Sequence, residues 1–290
     1  MGNIFNDIAT KYHTGTLLIK LIFINIAVFL IVRLTGVILT LSGIDINPLL
    51  SYLQLPSNLS VLIWRPWTLF TYMFLQYDLL HILFNMLWLY WFGQLFLYFF
   101  SEKQLGGLYI LGGLSGAVLY LLAYNLIPFF SVSYGVLLGS SAAVLAIVIA
   151  TAVYAPDFKI NLLFFGAVSL KYIALITVLL DAISITSQNA GGHIAHLGGA
   201  LLGFIFVSYW KKGKDITKGI NTIIDKIVVM FKPRPKIKIK YKRPESDMDY
   251  RARKQKETAD IDAILDKIKR SGYSALTTEE KKKLFDASKN

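Results

Sequence analysis

The sequence predicts an all-α membrane protein with six transmembrane helices, a first outer loop that lies in the membrane interface, and a basic tail. Hydrophobic residues make up 55% of the chain, charged residues only 17%, and the mean hydropathy is +0.53. Soluble domains average about 25% charged residues. Apolar stretches close to the roughly 20 residues needed to cross a bilayer recur along the chain. The absence of cysteine excludes disulfides, thiolate nucleophiles and cysteine-ligated metals.

Charge divides the chain into parts. Residues 1–210 hold 7 Lys/Arg and 6 Asp/Glu, whereas residues 211–290 hold 23 and 12, so the tail carries +11 of the net +12. We therefore predict a membrane domain over 1–210, a basic juxtamembrane linker over 211–256 and a small helical element over 257–290.

Six apolar stretches are predicted to span the membrane. They lie at about 17–41, 80–99, 104–126, 138–155, 160–186 and 192–210. The first has no convincing cleavage site and is expected to be a retained span rather than a cleaved signal. In the fifth, Lys159 and Lys171 bracket an apolar piece that can lie either in the membrane interface or within the helix.

An even number of spans places both termini on one side of the membrane. Lys211, Lys212 and Lys214 directly follow the last span, and the positive-inside rule assigns that side to the cytoplasm. The sequence therefore predicts a multi-pass protein of the cell (inner) membrane with cytoplasmic termini.

The first outer loop, residues 42–67, is unusually apolar. Asn47 and Pro48 are typical of a helix start, and leucines and a tyrosine follow them. This pattern predicts an amphipathic segment in the outer interface. It ends at Trp64 and Arg65, residue types that anchor chains at membrane boundaries.

The second span carries two polar residues on one helical face. His81 and Asn85 are separated by one turn, and Asp78 is a plausible N-cap for this helix. Such a pair can hydrogen-bond a neighbouring helix and act only in packing. Alternatively, its N–H groups can form an oxyanion hole, which stabilises the charge on a carbonyl oxygen under attack.

The fourth and sixth spans carry a serine and a histidine, which are costly in hydrocarbon and therefore suggest a site. Ser141 follows Gly139 at the start of a helix, where unpaired backbone N–H groups favour an oxyanion. His196 shares a face with Gly199 and Gly203, so another helix can approach it closely. A hydroxyl nucleophile with an imidazole base points to hydrolysis within the membrane.

His193 lies one turn before His196 on the same side of the sixth span. It could serve as the base instead. Its position near the outer end of the span favours a role in a loop or in gating.

Taken in order, these motifs resemble the rhomboid intramembrane serine proteases over residues 15–210. The residues that carry the resemblance are Trp64 and Arg65 in the first outer loop, His81 and Asn85 in the second span, Gly139 and Ser141 in the fourth, and Ala195, His196, Gly199 and Gly203 in the sixth. Each motif alone is common, but four in the correct order on the expected spans are specific.

The resemblance implies a six-helix bundle with a Ser141–His196 dyad and no third acidic member. It also implies an oxyanion site from His81, Asn85 and the Ser141 backbone, and cleavage of single-span membrane proteins near their outer ends. Trp64, Arg65, Gly139, Gly199 and Gly203 are expected to be structural, and no metal or cofactor is expected.

Three positions depart from the family pattern. Many bacterial rhomboids have glycine directly after the nucleophile and, four residues after it, a tyrosine that stacks on the catalytic histidine. Here the two positions hold Ala142 and Leu145, so the orientation of His196 depends on other packing. Gln76 stands where some members have an additional histidine.

Two other functions are weighed against the protease. A non-catalytic rhomboid-like scaffold that binds transmembrane helices would be marked by loss of the serine or the histidine, and both are present. A transporter predicts inverted repeats and mid-membrane charges. Arg33 and Asp181 are too few and too near the span ends, and no repeat is visible.

The tail contains two kinds of sequence. Residues 211–256 are basic, with Lys232–Lys240 at the centre, and can attract anionic lipid headgroups as well as serve as a solvated linker. Nucleic-acid binding is not expected, because only Phe231 and Tyr241 offer stacking and no module is recognisable.

A helical hairpin is predicted over 257–290, and it is expected to act in docking or regulation. Its first helix has an apolar stripe that includes Ile264, Gly272 breaks the helix, and Thr277 with Glu280 forms a capping box for the second. The tail resembles the C-terminal extension of rhomboids from Bacteroidetes-like bacteria.

Overall fold

The computed structural model describes residues 4–131, 134–162, 166–231 and 245–288. The chain divides into two compact units, residues 1–232 and 233–290. The first unit is a helical bundle and the second is a pair of helices.

The first unit contains twelve α-helices among its described residues. In chain order they are α1 (Ile4–Thr14), α2 (Leu17–Leu41), α3 (Asn47–Ser51), α4 (Leu59–Leu62), α5 (Thr68–Thr71), α6 (Leu79–Phe99), α7 (Glu102–Leu126), α8 (Pro128–Ser131), α9 (Ser141–Tyr154), α10 (Leu170–Ile183), α11 (Ala190–Trp210) and α12 (Lys218–Phe231). Two short antiparallel pairs accompany them: β1 (Leu55–Pro56) with β2 (Val136–Leu137), and β3 (Lys159–Leu162) with β4 (Gly166–Ser169).

In the part of the chain that the structure describes, four helices are long and apolar enough to cross a membrane, namely α2, α6, α7 and α11, and α9 is a shorter apolar helix. The predicted all-α membrane bundle is therefore confirmed. Local capping explains where helices begin: the Thr16 side chain accepts from the N–H of Ile19 at the start of α2, and Asp78 caps α6 as predicted.

The fifth predicted span, 160–186, is wrong in its first part. Residues 159–169 contain β3 and β4, in which Lys159 pairs with Ser169 and Leu162 with Gly166. The helix begins only at Leu170, because the backbone groups before it are committed to this hairpin. The sequence allows the apolar piece between Lys159 and Lys171 to lie either in the membrane interface or within the helix. The structure places its described residues before Leu170 outside the helix.

The centre of the bundle is α9, whose residues 142–152 are all buried. Small residues allow its neighbours to approach. A Cβ added at Gly112 of α7 would lie 2.5 Å from the Cβ of Ala146, and one at Gly116 would lie 2.7 Å from the Cβ of Ala142. The backbones of α7 and α9 are therefore almost in contact.

The first outer loop is held by its arginine. Arg65 Nη1 donates to the carbonyl oxygen of Ser51 over 2.9 Å, and the guanidinium stacks 4.1 Å from the ring centre of Tyr52. Trp64 is 80% exposed. Arg65 thus ties the end of the loop to α3, whereas Trp64 points away from the protein.

Part of the predicted linker is helical. α12 packs on the start of α7, where Asn221 Nδ2 donates to the carbonyl oxygen of Lys103 over 2.9 Å and Asp225 pairs with the Lys103 ammonium at 2.7 Å. The predicted basic centre, Lys232–Lys240, lies outside the described residues.

The second unit consists of α13 (Asp247–Ser271) and α14 (Thr278–Ala287), joined by a turn at Gly272, whose φ is +77°. The first helix begins at Asp247 rather than near 257. Ile264 and Leu276 are buried, and the predicted capping box of Thr277 and Glu280 is present.

The capping box predicts how the hairpin responds to acid. The Lys267 ammonium and the backbone N–H of Thr277 lower the pKa of Glu280 to about 2. Since this pKa is below its ordinary value of 4.5, the ionised carboxylate stabilises the fold above that value, and this stability is lost as the pH falls toward about 2. Hydrogen-exchange protection of residues 278–287 in the full chain should fall over this range.

The control is Glu280→Gln, which keeps a capping acceptor but does not ionise. It should show a weaker dependence of protection on pH. An equal dependence in both proteins would contradict the assignment to Glu280.

Candidate active site

Ser141 is the first residue of α9, and the backbone conformation just before it requires a glycine. Gly139 has φ +119°, and its N–H donates to the carbonyl oxygen of Tyr72 over 2.9 Å. A Cβ at this position would lie 3.3 Å from the ring of His81. Only glycine adopts this backbone conformation without strain. As the first helical residue, Ser141 has a backbone N–H with no partner inside the helix.

The structure brings Ser141 and His196 together. His196 Nε2 lies 2.6 Å from Ser141 Oγ, a hydrogen-bond distance. The two residues are on α9 and α11, which meet backbone to backbone. A Cβ at Gly199 would overlap the carbonyl oxygen of Ala142, and a Cβ at Gly203 would overlap that of Ala146. The glycines therefore set the separation of serine and histidine.

An acidic residue completes the cluster. Asp181 Oδ1, on α10, lies 2.8 Å from Nδ1 of His196 and 2.8 Å from Nδ1 of His193. The Asp181 side chain is only 8% exposed. The resemblance implies no third acidic member, but the structure places this carboxylate within hydrogen-bond distance of both imidazoles, because α10 packs against α11.

The sequence contained a signal for Asp181. An ionisable side chain inside an apolar helix usually faces the bundle interior and bonds a polar partner. From the sequence alone, its position near the end of the span indicates only that it is poorly placed for a transporter. His193, on the same side as predicted, bonds Asp181 and makes no hydrogen bond to Ser141.

Asp181, His193 and His196 form the one group among the described residues whose ligand atoms could hold a metal ion, since these atoms lie within 4.8 Å of one another. Ligands bound at about 2.0 Å to a tetrahedral zinc ion stand about 3.3 Å apart. The 2.8 Å separations between Oδ1 and each Nδ1 are shorter and fit N–H···O hydrogen bonds.

The two predicted oxyanion residues lie near the serine in different surroundings. The His81 ring is next to Gly139. Asn85 is buried and lines the same cavity as Ser141 and His196, and its Nδ2 donates to Gln76 Oε1 over 2.9 Å. That bond uses one amide hydrogen and leaves the second for a ligand.

Gln76 is a site residue whose role the sequence did not reveal. It is fully buried, and its Nε2 donates to Ser140 Oγ over 3.2 Å and to Asn25 Oδ1 over 3.1 Å. Through these bonds it links α2, the start of α9 and Asn85. A buried glutamine in a loop has no periodic pattern that would identify it in advance.

A cavity of about 170 Å³ adjoins the serine and is mostly apolar. Its lining residues are Phe84, Asn85, Trp88, Ser141, Val144, Leu145, Thr177 and His196. Leu145 borders it beside the imidazole, and Ala142 is packed against α7 and α11. The cavity can accept an apolar group close to the hydroxyl.

Comparison with known proteins gives two family matches. A model described as Rhomboid domain matches residues 64–212, which include every residue of the cluster around Ser141. A model described as a family of unknown function (DUF6576) matches residues 245–290, which contain α13 and α14. No curated protein matches the chain.

Because α9 and α11 pack so closely, a single methyl group added between them should strongly affect both the stability and the site. Gly199→Ala should push the helices apart, destabilise the protein by about 1–3 kcal/mol or more, and lengthen the separation of Ser141 and His196. Thermal unfolding in detergent and the labelling rate of Ser141 by a fluorophosphonate would measure the two effects.

The matched control is Gly219→Ala on α12, where an added Cβ meets nothing within 4 Å. This variant should unfold at or slightly above the wild-type temperature, because alanine favours the helix. Equal behaviour of the two variants would contradict the packing explanation.

Proposed function

Because the chain belongs to the rhomboid family, we propose that it is an intramembrane serine endopeptidase that hydrolyses single-span membrane proteins near the outer membrane face. The observation that carries this proposal is the 2.6 Å separation of Ser141 Oγ and His196 Nε2 inside a membrane bundle. A scaffold that only binds transmembrane helices needs no aligned hydroxyl and imidazole.

The proposed reaction uses the pair in both of its halves. Nε2 of His196 takes the proton of Ser141 as Oγ attacks the substrate carbonyl carbon, and the imidazolium then gives this proton to the leaving amine. In the second half the imidazole activates water in the same way, and the acyl-enzyme is hydrolysed.

Charge on the carbonyl oxygen would be stabilised by three donors. These are the backbone N–H of Ser141, the free amide hydrogen of Asn85 and the ring N–H of His81. The bond to Gln76 supports this role for Asn85, because it fixes the amide before substrate arrives.

The orientation that we propose has both termini in the cytoplasm. The Glu102 carboxylate accepts from the N–H of Leu17 over 2.8 Å, so the starts of α2 and α7 lie at one level. Lys211, at the end of α11, contacts the carbonyl oxygen of Val153 near the end of α9, opposite Ser141. The lysines that follow α11 favour the cytoplasm for this side.

We also propose that anionic lipid is a partner of the tail, bound first through α12. Its apolar side chains Ile223, Ile227 and Met230 are exposed at helical spacing, 54%, 49% and 81%. Asn221 and Asp225 tie the helix to the start of α7 at the edge of the bundle. An amphipathic helix held at this level would lie in the interface, with its lysines near the headgroups.

Substitution of the pair tests the protease directly. Ser141→Ala and His196→Ala should each lower kcat by about 10⁴-fold or more on a generic single-span substrate in detergent, with unchanged thermal unfolding. The double variant should be no worse than either single one, because the two residues act as a unit. Cleavage that persists in Ser141→Ala would end the serine mechanism.

His193→Ala distinguishes the two histidines in the same assay. It should keep substantial activity, because His193 makes no hydrogen bond to Ser141. A loss as large as that in His196→Ala would assign the base to His193 instead.

The lipid proposal can be tested by site-directed labelling, since the chain has no native cysteine. Ile227→Cys and Lys218→Cys, nine residues apart in the helix, place a nitroxide on opposite faces of α12 in the full chain in vesicles. The label at 227 should be accessible to oxygen and protected from a water-soluble nickel complex, and the label at 218 should show the reverse.

Anionic lipid should increase the protection at position 227 in low salt and not in high salt. Equal access of the nickel complex to both labels would overturn the interfacial position of α12.

A further inference from the structure

The buried carboxylate of Asp181 is not needed by a serine–histidine pair, yet it lies beside that pair. We propose that Asp181 is a positioning residue that holds His196 in the tautomer and orientation required for Nε2 to accept the Ser141 proton. The inference rests on the proposed protease function and extends it from a dyad to a Ser141–His196–Asp181 arrangement.

The Asp181 carboxylate is costly at its position inside a membrane helix. Ionisable side chains within membrane helices are expensive and persist where they serve a site. α10 is otherwise apolar from Tyr172 to Ile183 apart from Thr177. No Lys or Arg of the described residues forms an ion pair with Asp181, and its salt-bridge partners there are the two imidazoles. Packing alone would be served better by leucine.

The hydrogen bond to Asp181 also determines which ring nitrogen of His196 carries the proton. A neutral histidine carries one ring hydrogen, and the bond from Nδ1–H of His196 to Asp181 Oδ1, 2.8 Å long, places it on Nδ1. Nε2 then has a free lone pair directed at Ser141 Oγ, 2.6 Å away. The opposite tautomer could not accept the serine proton.

The negative charge of Asp181 favours the protonated form of His196 during the reaction. When Ser141 attacks, its proton moves to Nε2 and the ring becomes an imidazolium; the proton then leaves with the amine. The carboxylate keeps its charge throughout and faces the cation at hydrogen-bond distance, where a low-dielectric surrounding strengthens the attraction. Asp181 itself therefore neither gains nor loses a proton.

Two of the described residues that line the cavity with His196, Val144 and Leu145, have apolar side chains, which cannot select a tautomer. His193 bonds the same Oδ1, and the other oxygen of Asp181, Oδ2, is buried without a hydrogen-bond partner among the described residues. The hydrogen bond to His196 is therefore one of the two hydrogen bonds that this carboxylate makes among the described residues.

The test compares Asp181→Asn with wild type and with Asp157→Asn in the full chain in detergent. Asp157→Asn is the matched control, because it removes an exposed carboxylate that pairs with Lys171 away from Ser141. Fluorophosphonate labelling of Ser141, kcat and KM on a single-span substrate, and thermal unfolding are measured for each protein.

Asp181→Asn should lower kcat and the labelling rate by about 100-fold or more, with KM within about threefold of wild type. Asp157→Asn should behave as wild type. A purely structural role for Asp181 predicts instead a lower unfolding temperature with kcat and labelling unchanged per folded molecule, and that outcome would overturn the inference.

The proposed function and this inference fail in different ways. Wild type that takes no label at Ser141 would sink the protease itself. If the fluorophosphonate labels Ser141 in wild type and equally fast in folded Asp181→Asn, only the proposed role of Asp181 is overturned.

A second measurement requires no substitution at Asp181. Proton NMR of wild type should show a strongly downfield ring N–H that is lost in His196→Gln and kept after metal chelation. Absence of this resonance, or its appearance only after chelation, would contradict the hydrogen bond and so overturn the inference.

Discussion

The close approach of α9 and α11 is the constraint on which the site depends. Gly199 and Gly203 lie against backbone carbonyl oxygens of α9, so the two helix axes cannot separate without losing this contact. Serine and histidine side chains are short, and only backbones this close allow them to meet. In a bilayer, where lipid tails compete equally for apolar contact, such small-residue packing is the main source of precise helix placement.

A chain of hydrogen bonds between buried polar side chains also holds the site in place. Tyr109 on α7 and Gln76 both bond Asn25 of α2, and Gln76 continues the chain to Ser140 and Asn85. Each group would be costly in hydrocarbon if left without a partner. Because every member is bonded, these hydrogen bonds connect three spans and the start of α9, and they restrict the positions of Ser141 and of the Asn85 amide.

The sequence allowed the class and much of the bundle to be predicted, because long apolar stretches and capping residues such as Asp78 are local features. The pairing of Ser141 with His196 followed from motif order. Asp181 was missed because its face of α10 meets the histidines only through tertiary packing. The hairpin at 159–169 and α12 were missed for a related reason: short strands and an amphipathic helix carry weak patterns inside apolar or basic surroundings.

The length of α9 has a consequence for the reactants. Its 14 residues extend about 21 Å, short of a hydrocarbon core of about 30 Å. Its far end is at a boundary, since the ring of Tyr154 meets that of Phe100 edge to face, Phe100 also contacts Trp210, and such aromatic groups gather at membrane edges. Ser141 therefore lies about 9 Å short of the opposite boundary of the hydrocarbon core. The proposed hydrolysis would join two reactants of opposite solubility there, because water has to fill a recess above Ser141 while a membrane-embedded polypeptide enters from the side.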